Sequence, residues 1–388
     1  LLYKSPALGY NDPPARYFMR QMKDALGSLF APGIEVAVKL IVQIPVLNEA
    51  DTIAAVLADI PRSIPGIDSV EVLIIDDGCT DDTIMIALQN GADHVVRHTS
   101  RKGLATAFQT GIDTALRLGA DIIVNTDGDH QYPGSQIGPL IAPILAGQAD
   151  YVIGDRQIDS IAHFSPLKKR LQAFGSGVVR WASDTQVSDA VSGFRALSRE
   201  AALRTFVTSE FSYTVENLIQ VGKKRLTITT IPIQINYVQR PSKLHRGNFD
   251  FVKRQAATIV RTYATYEPLK TFSYLALPFL LVGILLLGRA VYVYIARNFG
   301  LVASNDQALL GGGVALIIGF LIFIFGIVSD RIGGVRRVSE EVLYRIRAHE
   351  VASEEWRRAM TARVERLEQA LHDNSLALDH DDQAHHQR

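Results

Sequence analysis

Cysteine is almost missing from this 388-residue chain: Cys79 stands alone. One thiol closes no intramolecular disulfide and builds no cysteine-rich zinc site, so the soluble part fits a reducing compartment. An excess of either charge is missing too, because Lys plus Arg and Asp plus Glu each total 40. That balance gives no electrostatic case for nucleic acid or an acidic polymer as a partner. A signal-peptide stretch is absent from residues 1–38, where Pro6, Pro13, Pro14 and Pro32 interrupt the chain. We read that segment as a lead-in carrying at most a turn or two of amphipathic helix. A Gly-rich triphosphate-binding loop is also absent, which argues against a sugar-nucleotide pyrophosphorylase.

What is present is a long alternation of short β-rich runs and helical stretches. Lys39–Ile44, Glu71–Ile75, His94–Val96, Ile122–Asn125 and Tyr151–Gly154 read as strands. Between them, Glu49–Asp59, Asp82–Asn90, Leu104–Leu118 and Gln136–Ala146 carry apolar residues at helical spacing. This predicts an α/β domain over residues 39–243, with a mostly parallel sheet covered by helices.

The rest of the chain reads as membrane apparatus. Residues 244–270 are basic and aromatic and predict amphipathic helices next to a bilayer, with Phe249–Tyr266 able to lie among headgroups. Residues 271–329 hold two apolar runs. Ala308–Val328 carries no charge and is long enough to cross a hydrocarbon core of roughly 30 Å. Phe272–Ile295 is long enough as well but contains Arg289, which must snorkel, pair or meet a lipid phosphate. The short link between them predicts a hairpin. Arg254, Arg261 and Lys270 before it, and Arg331, Arg336 and Arg337 after it, place both soluble parts on the cytoplasmic side. Residues 330–371 predict an amphipathic helix, either a homo-oligomer seam or a helix packed on its own catalytic domain. Residues 372–388 are polar and read as a disordered, solvated tail.

Chemistry concentrates at strand ends. Asp127-Gly128-Asp129-His130-Gln131 follows the apolar run Ile122–Asn125. Carboxylates two residues apart at such a point can converge in the crevice where open α/β sheets bind ligands. Hard oxygen donors there suit Mg²⁺ or Mn²⁺, with Gln131 as a third donor. An acidic pair in a solvated surface turn is the plainer alternative. Pro45-Val46-Leu47-Asn48-Glu49 and Asp76-Asp77-Gly78-Cys79-Thr80-Asp81 close the first two strands at the same edge. Asn48, Thr80 and Asp81 suit helix capping, whereas Asp76 and Asp77 come early enough for one carboxylate to accept hydrogen bonds from a nucleobase.

Taken in order, Pro45-x-x-Asn48-Glu49, Asp76-Asp77-Gly78, Lys102-Gly103-x-x-x-Ala107-x-x-x-Gly111, Asp127-x-Asp129-x-Gln131 and Asp189-x-x-Ser192-Gly193-Phe194-Arg195 resemble the GT-A fold glycosyltransferases of family 2. The resemblance is closest to the dolichyl-phosphate mannose synthase and polyprenyl-phosphate glycosyltransferase branch, and covers about residues 40–242. It implies a Rossmann-like GT-A domain followed by a two-helix membrane hairpin. It also implies a nucleotide-sugar donor and a polyprenyl phosphate acceptor. By the same resemblance, Pro45, Glu49, Asp76 and Asp77 hold base and ribose, and Lys102 and Gly103 border the nucleotide. Asp127, Asp129 and Gln131 hold the metal, and the turn ending at Arg195 shapes the sugar and acceptor side. Arg156 matches the branch's arginine, although Asp155 departs from its usual serine. Arg240 and Ser242 match a basic segment that Pro241 alters, and Arg156, Arg170, Arg240 and Lys243 are the cations offered to the acceptor phosphate.

A lipid monophosphate is already largely anionic at neutral pH and needs cations rather than a general base. A hydroxyl acceptor would need a base, for which Asp189 is the candidate. A processive synthase is disfavoured because Arg180-Trp181 follows Gly177 where that class carries glutamine. A non-catalytic membrane scaffold would tolerate loss of Asp127 or Asp129, and both are present.

Overall fold

The computed structural model describes residues 37–157, 187–207, 213–236, 248–298 and 306–386, with isolated positions between 177 and 185. The lead-in, Arg170, Arg240, Ser242 and Lys243 lie outside the described residues. The strands are β1 (Lys39–Val46), β2 (Ser69–Asp76), β3 (His94–Arg97), β4 (Ile122–Asn125), β5 (Tyr151–Asp155), β6 (Arg195–Ser198) and β7 (Ile228–Pro232). They form one sheet in the order β3-β2-β1-β4-β6-β5-β7. The β1–β2, β1–β4, β2–β3 and β5–β7 pairs are parallel, and β6 runs antiparallel to both β4 and β5. The sheet is thus mostly parallel, as expected.

Helices α1 (Ile53–Asp59), α2 (Thr83–Gln89), α3 (Leu104–Arg117) and α4 (Ile137–Leu145) follow β1 to β4 in turn, and α5 (Arg199–Arg204) and α6 (Tyr213–Lys223) follow β6. Side chains alternate across each strand. Leu40, Val42, Ile44 and Val46 pack with Ile53, Leu57, Leu140 and Ile141 on one face. Ile41, with Leu73 and Ile75, packs with Phe108, Ile112 and Leu116 on the other. Both faces are covered, so the strands read as continuous apolar runs. One member of the α3 face is polar: buried Gln43 donates to the Asn125 side chain at 2.9 Å. Gly111 leaves room for it, since a Cβ there would sit 2.9 Å from Gln43 Cδ.

Beyond the sheet, α7 (Asn248–Tyr266) leads into α8 (Pro268–Asn298) and then α9 (Asp306–His386). One face of α7 lies on the domain, with Ile259, Tyr263 and Tyr266 packed against its core. Helix α8 and the first part of α9 are long and apolar enough to cross a membrane. They pack antiparallel through glycines. A Cβ on Gly283 would meet Leu316 Cγ at 2.7 Å, one on Gly319 would meet Leu280 Cγ at 2.8 Å, and one on Gly312 would meet Leu287 N at 3.0 Å. Small residues let apolar helices approach closely where no hydrophobic drive separates protein from lipid. The far part of α9 returns to the sheet domain. There Tyr344 donates to Glu200 at 3.0 Å, Arg199 pairs with Glu355 at 2.5 Å, and Val351 is buried. Of the two readings of this helix, packing on its own catalytic domain is seen.

Candidate active site

Parallel register brings the ends of β1, β2 and β4 to one edge: Val46 faces Asp76, and Gln43 faces Asn125. Because β6 is antiparallel and starts at Arg195 opposite Asn125, the 189–194 turn arrives at the same edge. Asn125 Nδ2 donates to the Gly193 carbonyl at 2.8 Å and to Tyr213 Oη at 2.9 Å, tying that turn to β4.

The Asp127–Asp129 loop is clamped from below by the β1–α1 junction. Thr52 Oγ1 donates to the Gly128 carbonyl at 2.6 Å and lies 3.3 Å from Glu49 Oε2. A Cβ on Gly128 would come within 3.1 Å of Val46 Cγ1, so the loop passes close against β1 and a larger residue would have to push that side chain aside. His130 takes a positive φ of 61° and its Nε2 meets Asp59 at 2.8 Å. That reversal lets Gln131 N donate to Asp129 Oδ1 at 3.0 Å. Asp127 lies against Gly193, where an added Cβ would stand 2.9 Å from Oδ2 and 3.0 Å from Oδ1.

Burial, followed by the neighbouring Asp129 carboxylate, pushes the Asp127 pKa up to about 7, with Arg156 and Arg195 opposing and Glu49 adding to the rise. Negative charge here is therefore under-compensated by the protein. Among the described residues no three His, Cys, Asp or Glu side chains converge as a complete metal cage. The donor set is a carboxylate pair, which suits Mg²⁺ or Mn²⁺ shared with substrate phosphates better than a metal held wholly by protein.

The Asp76-Asp77 junction divides its work. Asp76 is fully buried; its Oδ1 accepts from Gly78 N at 3.0 Å and Cys79 N at 2.7 Å, and Oδ2 pairs with Arg97 Nε at 2.9 Å. Asp77 instead holds the next loop, accepting from Lys102 N at 2.7 Å and Gly103 N at 2.9 Å. His98 Nδ1 meets Asp77 Oδ1 at 2.9 Å while Nε2 meets Thr110 Oγ1 at 3.0 Å. The first two junctions are stitched together, because Asn48 Oδ1 accepts from Thr80 N at 2.8 Å and Glu49 N donates to Thr83 Oγ1 at 2.8 Å. Pro45 is a buried β1 residue opposite Ile75.

Two residues assigned to catalysis or phosphate binding are engaged with each other. Arg156 forks onto Asp189, with Nε–Oδ2 at 2.7 Å and Nη2–Oδ1 at 2.9 Å, and Asp189 is 1% exposed. Burial works against the Arg156 charge, but Tyr132, Asp189 and Asp127 outweigh it and raise its pKa. Arg195 is 0% exposed and donates to the carbonyls of Ser192, Ala190 and Thr214 and to Tyr151 Oη. It has no surface open to substrate and rivets the 189–195 turn behind Asp127. Asn125, Tyr213, Thr52 and His98 escaped the sequence reading of the site, whereas Gly193 was part of the turn read there. Only Asn125 left a signal there, as a polar residue ending a buried apolar run.

The sequence pattern of glycosyl transferase family 2 matches residues 41–206. A UDP-N-acetylglucosamine–dolichyl-phosphate N-acetylglucosaminyltransferase of Methanococcus voltae is 30% identical over 190 residues, spanning 43% of this chain and 75% of that one. The chain belongs to glycosyl transferase family 2. Glycosyltransferase AglJ of Haloferax volcanii is 27% identical over 302 residues, spanning 76% of this family 2 chain and 93% of that protein. The polyprenol monophosphomannose synthase of Mycolicibacterium smegmatis is 28% identical over 169 residues, spanning 42% and 62% respectively. These names bear out the resemblance to the polyprenyl-phosphate branch, and the mixed sheet carries the GT-A fold of the family.

Proposed function

We propose that this chain transfers a hexose, with inversion, from a nucleotide-sugar of the GDP-mannose or UDP-glucose type to a polyprenyl or dolichyl phosphate at the cytoplasmic membrane face. The observation that carries the reading is the under-compensated Asp127–Asp129 pair at the carboxyl edge of the sheet. Asp127, Asp129 and Gln131 would hold Mg²⁺ or Mn²⁺, which would supply charge stabilisation for the departing nucleoside diphosphate. Glu49, Asp77, Lys102 and Gly103 border the nucleotide, and Asp77 keeps that loop closed around it through its amide contacts. The acceptor oxygen attacks C1 from the opposite side as the bond to the diphosphate breaks, and alignment supplies much of the rate.

Relatives named for dolichyl and polyprenyl phosphate support a lipid-phosphate acceptor. The Asp189–Arg156 fork supports it further, because a carboxylate closed on an arginine is poorly placed to take a hydroxyl proton. The acceptor phosphate then falls to Arg170, Arg240, Ser242 and Lys243. Helices α8 and α9 anchor the domain so that a water-soluble donor meets a lipid nucleophile at the bilayer surface. The test is a panel of labelled UDP- and GDP-sugars with a short polyprenyl phosphate, with and without Mn²⁺. One donor should move label into the organic phase only with metal, and Asp129→Ala should abolish transfer. Transfer to a lipid hydroxyl in place of the phosphate would support the hydroxyl-acceptor reading. No transfer or donor hydrolysis from any pair would overturn the enzymatic reading in favour of a scaffold.

A further inference from the structure

Past the hairpin, α9 carries two opposed faces. Glu340, Tyr344, Arg347, Val351 and Glu355 lie on the one engaged with the rest of the chain. Arg347 donates to the Thr205 carbonyl at 2.6 Å, and Glu340 pairs with Lys224 at 3.3 Å. At about 100° per residue the other face points directly away. It carries Val335, Val342, Ile346, Trp356 and Met360, which are 68%, 49%, 58%, 65% and 42% exposed. With His349 and Ser353 counted, the steps from Val342 to Met360 alternate between four and three residues, the spacing of a helix-pairing seam.

We infer that this face pairs with the same face of a second copy of the chain, parallel and in register. Three observations select that occupant. Arg337, Val338, Glu341, Val342 and Arg345 line a shallow concavity that borders this face at Val342. Four of them stand at i, i+3, i+4 and i+7, the diamond that receives one side chain from a facing helix. The charges beside the seam match a parallel pair, in which a flanking residue meets the one five places further along the other copy. Arg345 then faces the second copy's Glu350. Within one chain Arg345 pairs with Glu341 at 2.9 Å and Glu350 with Arg117 at 3.2 Å, but the Arg345 and Glu350 side chains are 76% and 47% exposed, so each can also meet a second copy. Finally, the antiparallel packing of α8 and α9 makes every α9 leave the same membrane face in the same direction, with the catalytic domains outside the seam. That parallel orientation rests on the membrane reading of the two helices, whereas the seam and its recess do not.

Cys79 is buried and alone, so introduced thiols report cleanly. Full-length Val342→Cys and Ile346→Cys, oxidised in native membranes, should shift from the 42.7 kDa chain to a species of twice that mass. Glu365→Cys, exposed on the outward side, should remain single. Arg345→Glu should lower the cross-linked fraction several-fold, and adding Glu350→Arg in the same chain should restore it. No cross-linking above wild type at either seam position, cross-linking to a different protein, or equal cross-linking at Glu365→Cys would overturn the inference. Alkaline carbonate washing of the same membranes reads anchoring separately. A retained but unlinked chain sinks the pairing, while a released but linked chain keeps the pairing and sinks the membrane reading.

Discussion

Asp127 shows how burial and chemistry conflict within one side chain. Its pKa is raised from an ordinary carboxyl value to about 7, first by burial and then by Asp129. The metal-free native protein therefore holds a proton that the unfolded chain has released, so stability is highest below about pH 4 for this group and is lost as pH rises through about 7. Thermal melts without metal should fall across that window. Asp127→Asn should flatten the fall and leave a more stable but inactive protein. Gly193→Ala tests the same carboxylate sterically: a methyl 2.9 Å from Oδ2 forces it to move. Transfer should drop on the order of 100-fold, as expected for displacement of about 1 Å at a reacting site, while the fold persists. Asp189→Asn tests the buried fork. Breaking such a pair costs about 3–5 kcal/mol, so calorimetry should show a lower Tm together with any loss of activity. At this scale the acidic pairs were legible because their spacing and strand-end positions are sequence properties. The Asp189–Arg156 pairing and the enclosure of Arg195 were not, because only the antiparallel strand β6 folds residues 189–195 back onto Asn125.

Among the elements, the first five strands and the helices between them declared themselves through period and composition. Strands β6 and β7 did not. Arg195–Ser198 is a four-residue strand with polar ends, both of them buried, so it offers no alternating pattern to read. Ile228–Pro232 is a half-buried edge strand that ends in proline. The two apolar helices were legible from length alone, but their contact depends on which glycines face which leucines. Gly319→Leu should wedge α8 from α9, since even a Cβ meets Leu280 N at 3.0 Å. We expect lower resistance to detergent denaturation, measured by loss of helical circular dichroism, with the isolated sheet core unaffected. Gly288→Leu, where an added Cβ meets nothing within 4 Å, should be nearly silent.

Across the whole molecule, the sheet edge, the apolar hairpin and the returning end of α9 form one mechanical unit. Arg117 pairs with Glu350 at 3.2 Å, Lys223 with Glu267 at 2.8 Å, and Arg347 with Asp113. These ties join the sheet edge to the hairpin, as the proposed transfer from a soluble donor to a lipid acceptor requires. In the proposed transfer, Asp127 and Asp129 hold a divalent ion together with a nucleoside diphosphate. Mn²⁺ electron paramagnetic resonance of the full-length protein, with UDP or GDP, measures that directly. One bound Mn²⁺ in wild type, strengthened by one of the two nucleotides and lost in Asp129→Ala, is the predicted result. Equal Mn²⁺ binding by wild type and Asp129→Ala, or none with either nucleotide, would contradict it.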